Sequence, residues 1–237
     1  MKISKFILVI LAILVMTTVS SCSLGSEEST DNGKKEESSS KSKKDKKEEV
    51  FPEAKPSAAR GKAIYDEHCL ECHGETGSGE GEKSEKFTDK IKDFNDQVFM
   101  HKEDPAEFFE KVKNGDKPMP AFKDDLTDQE MWDVVFYVWT FPTSQALIAQ
   151  GKTVYDDKCA KCHGENGDGK GPEADELEEE PTDFSDSKKM VSEKSDGLFK
   201  NITDGEEDED MPSFKKKLSP GERWNVIDYI WTFTYEQ

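Results

Sequence analysis

Two five-residue stretches carry the chemistry of this 237-residue chain: Cys69-Leu70-Glu71-Cys72-His73 and Cys159-Ala160-Lys161-Cys162-His163. Each is a C-x-x-C-H motif, the spacing of covalent c-type haem attachment. Two thiols about one helical turn apart can add to the two vinyl groups along one edge of a porphyrin. The adjacent imidazole then reaches the iron from one face. Shuffling five Cys and four His through the chain would give such a motif roughly 0.002 times, so two copies are not chance. A zinc site would need four ligands drawn together, whereas these pairs lie 90 residues apart and each brings its own His. A thioredoxin-like redox pair has no use for that His.

The elements that position the motifs form an internal repeat. Arg60-Gly61-Lys62-Ala63-Ile64-Tyr65-Asp66 recurs as Gln150-Gly151-Lys152-Thr153-Val154-Tyr155-Asp156, a shift of 90. Asp93-Phe94 and Gly115 recur at the same shift as Asp183-Phe184 and Gly205. Beyond them the shift is 92: Met119-Pro120 with Met211-Pro212, Trp132 with Trp224, Tyr137 with Tyr229, Trp139 with Trp231. Two residues therefore entered the second copy between Gly205 and Met211. Two copies suit tandem domains better than a solenoid, which needs at least three repeats. The boundaries are placed at 58–143 and 144–237.

Helix signals agree between copies. Ser57 and Ser144 are N-cap candidates for helices running into the motifs. Asp104-Pro105-Ala106-Glu107 supplies a cap, a Pro at the first position and an acid in the first turn, with Gly115 closing that helix. Thr127–Glu130 and Ser219–Glu222 read as capping boxes opening the last helix of each copy. No alternating strand pattern occurs, so the expected class is all-α. The last helices are apolar almost all round, which predicts burial on more than one side. One side should meet the first helix, and the other suits an interface between the domains or with a partner.

The proximal iron ligands are expected to be His73 and His163. A second axial ligand must come from further along, and Met119 and Met211 lie 46 and 48 residues after those histidines. Both sit in Pro-containing loops just after a helix-ending Gly, each followed by an aromatic (Phe122, Phe214). A lone Met is usually core filler, but two at equivalent positions favour ligation. The rivals are His68, His101, Met100 and Met190. The first two lack a His at the equivalent position, and the Met pair lacks the Pro-bounded loop.

This order of helix, C-x-x-C-H, middle helix, Met-Pro loop and aromatic last helix resembles class I cytochrome c, twice over, across about residues 58–237. The resemblance implies two covalently bound haem c groups, attached through Cys69, Cys72, Cys159 and Cys162. It also implies that Gly61 and Tyr65, like Gly151 and Tyr155, cross the last helix near Tyr137 and Tyr229. In that family a Pro carbonyl accepts the proximal imidazole proton. Pro172 fits that role, but the first copy has Glu82 there, which leaves the supporting partner of His73 open.

Ahead of the repeat, residues 1–21 have a basic start and an apolar run of about 14 residues, too short to span a bilayer and laid out like a secretory signal. The residues before Cys22 resemble the lipobox of bacterial lipoproteins, which implies cleavage there and lipid attachment to Cys22. An ordinary signal peptide with an incidental Cys, or an uncleaved anchor, is the alternative. Residues 22–57 collapse to Ser, Lys and Glu and are expected to be a disordered tether, with a reach on the order of 30 Å for about 35 residues.

Net charge is −19, which repels nucleic acid and anionic lipid headgroups and favours partners with basic docking faces. The expected protein is exported and lipid-anchored on the extracytoplasmic side of a bacterial membrane, in the periplasm or at the cell surface. Two filled axial positions leave no open iron site, so the expected role is single-electron transfer between respiratory redox partners, not catalysis. The alternatives are a bound cytochrome subunit of a larger oxidase or dehydrogenase and a dihaem peroxidase, which needs an open or switchable haem.

Overall fold

The structure, a computed structural model, describes residues 50–206 and 210–237. The leader, Cys22 and most of the tether lie outside the described residues. Those described are helical, with isolated bridges and no strand, and no helix among them is long and apolar enough to cross a membrane. The first copy contains α1 (Ala58–His68), α2 (Leu70–His73), α3 (Gln97–Met100), α4 (Pro105–Asn114) and α5 (Asp128–Val138). The second repeats them as α6 (Gln145–Lys158), α7 (Ala160–His163), α8 (Ser187–Met190), α9 (Ser195–Asp204) and α10 (Pro220–Trp231).

The expected caps are in place. Ser57 and Ser144 accept from Arg60 N and Leu147 N. Asp104 Oδ1 accepts from Glu107 N at 2.8 Å, and Thr127–Glu130 and Ser219–Glu222 form complete capping boxes.

In each copy the first helix crosses the last at a glycine. A Cβ on Gly61 would lie 2.0 Å from the Asp133 carbonyl oxygen, and one on Gly151 1.8 Å from that of Asn225. No other residue allows the two backbones so close. One turn later Tyr65 meets Tyr137 and Tyr155 meets Tyr229, both edge-on at 5.3 Å, as the resemblance implies. The polar contacts flanking the crossing differ between copies. Buried Asp133 is held by Arg60 Nε (2.7 Å) and Ser57 N (2.8 Å), whereas Asn225 Nδ2 donates to Gln150 Oε1 (3.1 Å).

Residues 50–57, assigned by composition to the tether, are packed: Val50 lies against the core, Pro52 is buried, and Ala54 N donates to Gln129 Oε1 at 2.9 Å. Val50 and Pro52 supply the apolar contacts that the Ser/Lys/Glu stretch before them lacks, so order extends back at least to Val50.

The copies pack against each other through equivalent surfaces. Ala106 N donates to Val191 O (2.8 Å), and Asp196 N donates to His101 O (3.0 Å). Exchanging each residue for its equivalent in the other copy (106 for 196, 191 for 101) turns one bond into the other, which is the signature of a pseudo-twofold axis. Trp139 meets its own equivalent Trp231 edge-on at 5.9 Å, and Asp104 faces its equivalent Lys194 at 3.3 Å. The interface is thus built from the connections around 101–106 and 191–196 and from the C-terminal ends of the last helices at Trp139 and Trp231. The C-terminus adds a latch: Ala58 N donates to Glu236 O (2.8 Å), and Glu236 N to Pro56 O (2.7 Å).

Two predictions follow from this packing. Gly151→Ala should destabilise the protein by about 3 kcal/mol through overpacking, read by denaturant unfolding of the haem-loaded protein. Asp228, which accepts from Thr143 Oγ1 in the connection between the copies (3.0 Å), has its carboxyl pushed up to about 6 by burial. The folded state therefore holds a proton that the unfolded chain releases near 4, and stability falls as pH rises from about 4 to 6. Asp228→Asn should add on the order of 2–3 kcal/mol at pH 7 and nothing below pH 4, checked by unfolding at both pH values.

Candidate functional site

Each attachment motif begins where its first helix ends. Cys69 and Cys159 are the C-caps of α1 and α6, and the one-turn helices α2 and α7 carry the second Cys and the His. His73 N and His163 N both donate to the carbonyl of the first Cys at 2.9 Å, so both sulfurs and the imidazole ride on one turn of helix. None of the four thiols is in a disulfide, and burial pushes Cys69 and Cys159 up to about 12. Among the described residues no three His, Cys, Asp or Glu side chains form a metal cluster, so the pairs do not converge as a zinc site would require.

A glycine-rich turn folds the chain back over the histidine. Gly79 N donates to His73 O and Gly169 N to His163 O, both at 2.9 Å. Phe94 N reaches Gly77 O (2.8 Å) and Phe184 N reaches Gly167 O (2.7 Å). Gly77 and Gly167 have φ of +71° and +69° and press against Phe141 and Phe233, where a Cβ would fall within 3.0 Å of the ring. The fold-back lays Phe94 on His73 (4.9 Å, 17°) and Phe184 on His163 (4.7 Å, 23°). From the other side, Tyr65 Oη donates to Gly74 O (2.7 Å) and Tyr155 Oη to Gly164 O (2.9 Å). The Asp-Phe repeat carried a signal for the stacking rings, since each Phe follows its His by 21 residues. Nothing in the sequence marked the tyrosine bonds.

Burial lowers the pKa of both imidazoles, that of His73 to about 4. They are neutral at physiological pH, the form that ligates a metal. His163 Nδ1 lies 3.2 Å from Thr182 O. A carbonyl only accepts, so Nδ1 carries the proton and Nε2 keeps its lone pair for iron. This corrects the expectation for Pro172. Backbone bonds from Gly171 N to Cys162 O (3.0 Å) and Glu173 N to Lys161 O (2.8 Å) stitch the Gly171-Pro172 segment onto the attachment helix. The carbonyl that reaches the ring comes instead from the segment leading to Phe184. In the first copy Lys92 holds the place of Thr182, and His73 Nδ1 is buried without a partner among the described residues.

Met119 and Met211 occupy matching loops. After α4, the backbones of Asp116 and Met119 bond reciprocally (3.1 and 2.8 Å). After α9, Glu206 and Met211 do the same (2.9 and 3.0 Å). Two residues separate the bonded pair in the first loop and four in the second, which locates the insertion read from the change of shift. Gly115 (φ +75°) and Gly205 (φ +78°) let the loop return against the helix end: a Cβ would lie 2.9 and 2.7 Å from the carbonyl oxygens of Met119 and Met211. Phe122 N to Val112 O and Phe214 N to Ile202 O, both 3.0 Å, close the loop.

The rival candidates make contacts of their own. Met100 and Met190 are core residues. His101 stacks on Trp224 across the interface (3.8 Å, 6°), and His68 packs edge-on against Phe122 (5.9 Å).

Two thiols on one helical turn, a neutral imidazole and a closed thioether loop, present twice, form a donor set that fits haem c. Residues 56–138 match the family model described as cytochrome c oxidase, cbb3-type, subunit III, and residues 148–234 match the model described as cytochrome c. The cbb3-type cytochrome c oxidase subunit FixP of Sinorhizobium medicae is 27% identical over 126 residues, covering 48% of this chain and 41% of that protein. Thiosulfate dehydrogenase of Allochromatium vinosum is 35% identical over 95 residues, covering 38% and 33%. The chain thus spans less than half the length of these curated relatives. A solved structure, the Kuenenia stuttgartiensis reducing HAO-like protein complex Kustc0457/Kustc0458, is similar at 27% identity with a TM-score of 0.36, covering 78% of this chain and 99% of that one. Cytochrome c domains are extracytoplasmic electron-transfer modules. This chain carries two of them in tandem, with two covalently bound c-type haems.

Proposed function

We propose that the protein is an exported, membrane-tethered relay that carries single electrons between extracytoplasmic respiratory partners. The tether runs from a lipid anchor at Cys22, and the partners dock with basic faces. Cys69 and Cys72 hold one haem and Cys159 and Cys162 the other. His73 with Met119, and His163 with Met211, would ligate the two irons. Bound haem c supplies a one-electron Fe(III)/Fe(II) couple, and His/Met ligation sets it higher than two histidines would. The chain does the rest. The stacked Phe94 and Phe184 fix the imidazole planes, burial keeps the rings neutral, and the Thr182 carbonyl directs Nε2 of His163 outward. The observation that carries the reading is that the attachment turn, the ring stacked on its histidine and a backbone-closed Met-Pro loop each occur in both copies, although the second loop is two residues longer. A histidine and a methionine on each iron would leave no position for substrate, which argues against the peroxidase reading.

A second reading is a bound cytochrome subunit of a larger oxidase or dehydrogenase. It is favoured by the match of residues 56–138 to the cbb3-type subunit III family and by the FixP relatives. Co-purification with a larger complex would distinguish it from a free carrier.

The two centres should differ in potential. Glu178 N donates to Asp210 Oδ2 (3.1 Å), which draws the acidic 173–180 segment against the acidic loop ending at Met211. Negative charge favours Fe(III), so the second centre should be the lower, with salt shrinking the gap. A redox titration at low salt should resolve two potentials, and a single shared one would contradict this. Replacing Met119 and Met211 singly by Ala should each abolish the low-spin methionine signature of one haem and leave the other intact, as read by absorption and EPR spectra. An unchanged spectrum in either variant would contradict the ligand assignment.

A further inference from the structure

Aromatic rings run without a break from the first attachment histidine into the second copy. His73 stacks on Phe94 (4.9 Å), Phe94 meets Phe108 (5.8 Å), Phe108 meets Trp139 (5.1 Å), and Trp139 meets Trp231 (5.9 Å). Every centroid separation lies within the range of direct ring contact. The two tryptophans are nearly shut off from solvent, at 6% and 5% exposure, and they stand at the pseudo-twofold. Trp231 is further fixed by Nε1–H donating to Ser195 Oγ (2.9 Å).

The same axis explains an unlike pair. Near a twofold, a residue faces its own equivalent. Positions 104 and 194 are equivalent, yet one is Asp and the other Lys, and they meet at 3.3 Å. Pairing two first copies from different molecules would set Asp104 against Asp104, and pairing two second copies would set Lys194 against Lys194. Only pairing of a first copy with a second brings opposite charges together.

We propose that this interface is the junction through which electrons pass between the two haem domains. Trp139 and Trp231 are the positioning residues at its centre, and the Asp104–Lys194 pair sets its register. One electron crosses per event: one domain's centre is oxidised as the other's is reduced, and no proton or atom changes place. The proposal rests on the reading of each domain as an electron relay.

The test uses the full haem-loaded chain. A single electron is delivered by flash photoreduction and its equilibration between the centres is timed. Domain docking is read independently by small-angle scattering and by the near-ultraviolet circular dichroism of the tryptophan pair. Lys194→Asp, which sets two acids face to face, should lower the docked population about tenfold, with a larger radius of gyration and equilibration slowed to match. Adding Asp104→Lys re-creates the pair in reverse and should restore docking and rate together. Trp139→Leu with Trp231→Leu should slow equilibration while leaving both potentials in place. Parental equilibration in Lys194→Asp or in the tryptophan variant would overturn the junction. A parent chain in which only one centre accepts an electron would overturn the relay reading itself, a different and separable result.

Discussion

In each domain the backbone of the first helix lies directly on that of the last, with Gly61 against the Asp133 carbonyl and Gly151 against that of Asn225. The rest of the site depends on this contact. It fixes where the first helix ends, and therefore where Cys69 and Cys159 begin the attachment turn. It seats Tyr65 and Tyr155 on the last helix, from which their hydroxyls reach the carbonyls just after the motif histidines. A helix–helix contact this close has no room to adjust, which suits a fold that must hold one flat, covalently attached cofactor in each domain.

Duplication gave two such frames, and the differences between them lie where geometry is indifferent. Arg60–Asp133 in one domain and Gln150–Asn225 in the other do the same mechanical job at the crossing with different charge. Asp104 and Lys194 diverged to opposite signs where they face each other across the interface. The Met loops diverged in length and acidity, so the two centres sit in different fields. The result is one framework with two electrostatic settings, joined through buried aromatic contacts.

Much of this was legible in the sequence because it rests on local rules. The C-x-x-C-H pairs, the capping boxes at Thr127 and Ser219, the helix-ending Gly115 and Gly205, and the shift from 90 to 92 residues are all short-range signals. The glycine crossing could be read only through the family resemblance, since an isolated Gly in a helix does not reveal what lies against it. The partner of His163 could not be read in the same way. It is a backbone carbonyl, which every residue possesses, and which carbonyl reaches the ring depends on how the glycine turns fold. The family pattern pointed to Pro172; tertiary packing selected Thr182. The packed segment at Val50 was hidden for a related reason, because a Lys/Glu-rich composition masks three apolar residues at its end. The pseudo-twofold interface is a product of tertiary packing alone, although the repeat already named the residues that meet across it.

The proposed function gives each iron one histidine and one methionine as ligands. The most direct measurement is the proton NMR spectrum of the fully reduced protein. A methionine bound to low-spin ferrous haem lies under the porphyrin ring current, which moves its methyl and methylene signals far upfield. Two separate sets of such signals are expected, one from Met119 and one from Met211. A single set, or none, would contradict that ligation.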